Sequence, residues 1–211
     1  MGYFLVVSTP FFVPLTEDNI VDPDSARDCD PSREFMGRPD MMPGVSAQRA
    51  VLHRSDTLVV AAFRFEAYPT GFAFTIHAEG TGYGYGRFHF IFSLAPGGYM
   101  GVPTISEENG PVQLDDIFRV GLEFSDDTAS DYLVNLDRGG PQIQSTGCSG
   151  SGGGKWGKCI GGFWVPRVPP PGEFTLHTAW PVVGMEESSA TFNADDIIEK
   201  SAHALPLLDK G

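Results

Sequence analysis

The sequence predicts an all-β, mainly antiparallel fold: a β-sandwich or flattened barrel with a short C-terminal helix. Three observations carry this expectation. Sixteen phenylalanines stand with 26 glycines and 17 prolines in 211 residues, a composition of sheet formers interrupted by turn formers. Short apolar runs recur between Gly/Pro clusters, which is the pattern of brief strands rather than of helices. One convincing helical pattern appears, near the C-terminal end. A chain of this length suits a single domain, 1–211, and can bury a sizeable core.

The elements follow in order. Residues 3–7 and 11–15 read as strands broken at Pro10, and residues 17–50 as a long irregular excursion rich in Pro and Asp. "LVVAAFRFEA" and "GFAFTIHAE" flank the turn Tyr68-Pro69-Thr70-Gly71. Strict alternation then sets Phe63 opposite Phe74 and Phe65 opposite Phe72. With "GTGYGYG" as the next loop, centred on Tyr83, the segment "RFHFIFSL" pairs back. Phe90 meets Ile76, Phe92 meets Phe74, His89 meets His77 and Arg87 meets Glu79. This register makes a three-stranded meander with its rings on one face.

Further hairpins are expected. "DIFRVGLEFSD" and "ASDYLVNLD" turn at Asp126-Asp127, and "GGFWVP" and "EFTLHTAWP" turn at the Pro-Pro-Pro-Gly. "EESSATFN" adds a last strand. Asn193 then caps a helix with Asp195 and Asp196 in its positive first turn. Ile197, Ile198, Ser201, Ala202 and Leu205 form its apolar stripe, and Pro206 ends it.

Charge excludes some functions. A net charge of −13 opposes binding to nucleic acid, which needs clustered Lys and Arg, and opposes anionic membrane surfaces. The N-terminal "MGYFLVVSTPFFVPL" has no basic flank and is broken by Pro10 and Pro14. It is therefore read as neither a signal peptide nor a membrane span, and the expected location is cytoplasmic. Three cysteines, an odd number, fit a reducing compartment.

The loudest stretch is "GCSGSGGGKWGKCIGG", expected as a Gly-rich loop over 147–162. Gly152 to Lys158 has most of a phosphate-binding loop, but Cys159 replaces the hydroxyl residue and a Gly/Pro segment follows where a helix is needed. Gly147 to Ser151 likewise lacks the second glycine of a serine nucleophile elbow. Cys148 and Cys159 read as thiols; a bridge would stabilise by about 3 kcal/mol if oxidised, and zinc would want four ligands. "VPRVPPPGE" reads as a turn rather than a polyproline ligand.

In the meander register His77 faces His89, with Glu79 two residues on. Those ligand types on rigid strands fit a divalent metal, although Arg87 competes for Glu79. His53, His177 and His203 read as surface or satisfied core positions. The carboxylates Asp22, Asp24, Asp28 and Asp30 miss the calcium-loop pattern, because Ala26 and Arg27 fill required places.

The C-terminal half, from "GLEF" through the glycine run and "FWVPRVPPPGEFTLHTAWP" to "NADDIIEKSAHALPLL", resembles a group of uncharacterised bacterial β-sandwich-like proteins. The resemblance implies a glycine-rich loop, a PPPG hairpin and a C-terminal helix, and it brings no activity with it.

With no complete catalytic constellation, no catalytic residue is assigned. The expected role is a non-enzymatic binding or assembly module for a protein partner, carried by loops on the sandwich. Trp156 is its anchor, flanked by Lys155 and Lys158. Two alternatives are kept: a metal-dependent enzyme or metal-binding protein using His77, His89 and Glu79, and a carbohydrate-binding module. Homo-oligomerisation is left open.

Overall fold

The computed structural model of the chain describes residues 10–16, 41–82, 117–134 and 136–207. Among them run β1 (Met41–Met42), β2 (Gly44–Ser46), β3 (Ala50–Arg54), β4 (Leu58–Tyr68), β5 (Gly71–Thr81) and β6 (Arg119–Phe124). These are followed by β7 (Ala129–Asp131), β8 (Gln144–Gly153), β9 (Trp156–Val165), β10 (Glu173–Trp180), β11 (Met185–Asn193), α1 (Ala194–Ser201) and β12 (Leu205–Pro206). Among the described residues the fold is all-β and mostly antiparallel, with one short α-helix and no sheet closed into a barrel.

A six-stranded sheet runs in the order β2-β4-β5-β9-β8, with β3 also on β4, and a four-stranded sheet runs β11-β10-β6-β7. Alternation sends Phe72, Phe74, Ile76 and Ala78 of β5 inward, and Phe174 and Leu176 of β10 inward from the other sheet. The inner faces meet through rings. Phe174 lies 6.1 Å from Phe65 and 5.5 Å from Phe72, centroid to centroid, and Phe192 lies 4.7 Å from Phe65. Each fully buried ring contributes about 1.5–3 kcal/mol.

The hairpin at Asp126-Asp127 forms as expected, with Glu123 opposite Ala129 and Asp127 in the left-handed region at φ 64°. The last strand pairs with β10, and Asn193 caps α1 by accepting from the backbone N–H groups of Asp195 and Asp196. The helix stops at Ser201, before the expected Pro206, and buries Ala194 and Ile197; Leu205 belongs to β12 and is exposed. Its last turn leaves no room for a side chain at Gly44, where an added Cβ would sit 1.9 Å from the Lys200 carbonyl oxygen.

Four expectations are corrected. First, the β4–β5 turn is tighter than read, pairing Tyr68 with Gly71, and a bulge interrupts the ladder between Phe63 and Glu66. Arg64 there takes φ 55°. The inward set therefore changes from Leu58, Val60 and Ala62 to Phe65 and Ala67, and Phe63 points away from the core. Second, β5 has β4 on one edge and β9 on the other. The third strand of the meander is thus β9, while residues 87–94 lie outside the described residues.

Third, the Pro-Pro-Pro-Gly is not a hairpin turn but a crossing from one sheet to the other. Both edges of β10 are filled, by β6 and β11, so β9 cannot pair there. Gly172, at φ 108°, completes the crossing, and Ser125 Oγ donates to the Pro171 carbonyl at 2.7 Å. Fourth, residues 11–15 form an irregular run, not a strand. Residues 3–7 and the acidic run at 22–30 lie outside the described residues.

Candidate functional site

The expected glycine loop at 147–162 is instead the hairpin β8–β9, paired from Gln144–Trp164 down to Gly153–Trp156. Glycine and serine are poor strand formers, so sequence propensity hides β8. The strand forms because β9 offers a full backbone ladder. The two-residue connection Gly154-Lys155 has glycine first at φ 61°, as a tight hairpin turn requires. Close approach also matters: a Cβ on Gly162 would meet Thr146 Oγ1 at 2.1 Å.

This hairpin delivers Trp156 and Lys158 to β5, where Thr81 pairs with Trp156, Glu79 with Lys158 and His77 with Ile160. Residues expected in two separate sites thereby share one outer sheet face. The Trp156 indole N–H donates to Glu79 Oε1 at 3.1 Å. The other oxygen of Glu79 lies 3.4 Å from His77 Nε2. Phe63, turned outward by the bulge, stands 6.4 Å from the His77 ring. Trp156 remains 39% exposed, so its ring is held at one edge and open on the rest. Lys155 sits in the turn, its carbonyl accepting from Gly82 N–H at 2.7 Å.

The expected metal trio is brought together in part. His77 and Glu79 are neighbours, but His89 lies outside the described residues. Lys158 takes the place opposite Glu79 that Arg87 was expected to fill. Among the described residues no group of three His, Cys, Asp or Glu side chains converges as a metal site.

Sequence reasoning missed a second constellation, on the outer face of the four-stranded sheet. Residues 10–16 lie across it. Glu187 accepts from the backbone N–H groups of Phe11 and Phe12, at 2.9 and 3.2 Å. Arg119 donates to the Val13 carbonyl, pairs with Asp131 at 2.5 Å and sits 4.4 Å over the Phe12 ring. Phe11 stacks on His177 at 4.1 Å and fills the space above Gly121, where a Cβ would sit 2.1 Å from its ring. A cleft of about 550 Å³ opens beside this run, lined by Leu15, Arg119, Pro181 and Glu186 among others.

His177 was expected to be a surface or satisfied core residue. It is mostly buried with neither ring nitrogen hydrogen-bonded. Burial lowers its pKa from the ordinary 6.5, against the opposing pull of Glu187 and Glu123. Burial also raises the pKa of Asp131, while Arg119 opposes the rise. The signal that could have found this face is Gly121, a glycine inside a strand pattern, which marks close approach of other chain.

No described helix is long and apolar enough to cross a membrane. No protein-family model, no curated protein and no solved structure matches this chain.

Proposed function

We propose that the chain is a binding module that engages a protein partner through the outer face of the six-stranded sheet around Trp156. The observation that carries this reading is the half-exposed indole at the tip of a paired hairpin, its N–H oriented by Glu79 at 3.1 Å. A ring fixed in this way loses little freedom on binding, which suits it as an anchor. Lys155 and Lys158 place positive charge beside it on a chain of net charge −13. The partner surface that fits presents an apolar pocket rimmed by carboxylates.

The test is affinity capture from lysate with the wild-type chain and with Trp156→Ala. Loss of the indole should lower recovery of a given partner by about tenfold or more, while the thermal midpoint stays within a few degrees. Lys155→Ala with Lys158→Ala should weaken capture and reduce its sensitivity to salt. Equal recovery with Trp156→Ala would sink the proposal.

A further inference from the structure

Cys148 and Cys159 stand diagonally across the β8–β9 hairpin, where Cys148 pairs with Gly161 and Cys159 with Gly150. Both side chains lie on the inner face of the sheet, because Gly161 and Cys159 are both buried positions two residues apart on β9. Their sulfurs are 2.9 Å apart, within about 1 Å of the bonded distance of roughly 2.0 Å. The glycines opposite each cysteine leave no side chain between them. Cys148 is partly exposed, whereas Cys159 is fully buried. A sulfur reached from outside thus adjoins one that is shielded. The same hairpin carries Trp156 and Lys158 at its tip.

We propose that Cys148 and Cys159 are an oxidisable pair that closes to an intrachain disulfide on meeting a low-molecular-weight disulfide. The Cys148 thiolate attacks one sulfur of the small disulfide. The S–S bond of the reagent breaks, a mixed disulfide forms on Cys148, and one small thiolate leaves and takes up a proton. Cys159 sulfur then attacks Cys148 Sγ across the 2.9 Å gap, loses its proton and expels the second small thiol. The two protein thiols are oxidised and the reagent is reduced to two thiols, so atoms and electrons balance. The order follows from access. Contact with Cys148 and burial both push the Cys159 thiol pKa upward, which keeps it a thiol until the mixed disulfide stands beside it.

The experiment uses the full chain, reduced, freed of reductant and incubated with glutathione disulfide, then alkylated, denatured and digested with trypsin. Lys155 and Lys158 lie between the two cysteines, so the peptide ending at Lys155 separates from the one beginning at Cys159 unless a bridge joins them. The expected result is the joined pair of peptides, loss of both thiols from the alkylatable pool, and their return on adding reductant. Cys159→Ser should accumulate glutathione on Cys148, and Cys148→Ser should give neither an adduct on Cys159 nor a bridge. Wild-type chain that keeps both thiols alkylatable, retains glutathione as a stable adduct, or bridges either residue to Cys29 would overturn the proposal. Because the wild-type result decides the matter, a variant that failed to fold would not rescue or remove it.

Discussion

On the outer face of the four-stranded sheet the chain lies against itself: Phe11 fills the gap above Gly121, and Glu187 and Arg119 bind the backbone of residues 11–13. On the outer face of the six-stranded sheet, Trp156 keeps 39% of its surface in solvent, with Glu79 and His77 beside it. Both faces are built from the same parts, an aromatic ring, a histidine and a carboxylate. The first has its ring stacked at 4.1 Å on the histidine, the second leaves the Trp156 ring part-exposed. A ring and a histidine on a sheet face therefore do not by themselves mark a site. What decides is whether the chain already occupies the surface.

The two faces share one core, and the largest effect is expected there. Phe174 touches rings of both sheets, so Phe174→Ala should destabilise by about 3–5 kcal/mol, read as a lower denaturant midpoint in one cooperative transition. Two separated transitions would mean that the sheets do not depend on one core. A smaller effect tests the covered face alone. Gly121→Val drives a side chain into the Phe11 ring and should destabilise by about 1–3 kcal/mol. In a Phe11→Ala background the same substitution should do less harm, and a double-mutant cycle measures that coupling.

The covered face should also respond to acid. His177 has a pKa below its ordinary 6.5 in the folded chain because it is buried, so the unfolded chain takes the proton first. Its contribution to stability is fully present above the ordinary value and is lost as pH falls below it. His177→Gln should flatten the decline in thermal midpoint between about pH 7.5 and 5; an unchanged slope would place the acid sensitivity elsewhere. The smallest expected effect lies on the open face. Glu79→Gln keeps an acceptor for the Trp156 indole N–H and should change stability by no more than about 0.5 kcal/mol, with little change in Trp156 fluorescence.

Local features of this fold were legible in the sequence, and long-range ones were not. The Asp126-Asp127 turn and the Asn193 cap are short-range devices, and both stand where the residues put them. The β4–β5 hairpin was legible but its register was not, because the turn closes tighter than read, pairing Tyr68 with Gly71, and strict alternation cannot count the extra residue at Arg64. The crossing at Pro169–Pro171 was misread because prolines stiffen a link without saying which sheet it reaches. For the site, Trp156, Lys158, His77 and Glu79 were each picked out by residue type. Their union depends on β5 pairing with β9, which joins residues 77 positions apart at Trp156 and Glu79. No local pattern carries that pairing.

The crossing between the sheets also sets where the molecule is stiff. Beside it, Arg167 binds Asp126 and Thr128, Ser125 holds the Pro171 carbonyl, and Gly172 N–H donates to Asp195. One end of β9 is therefore bolted to both layers and to the helix. Trp156 stands at the opposite end of the same strand, held between Thr81 of β5 and Gly153 of β8, so β9 runs as a braced beam from the prolines to the indole.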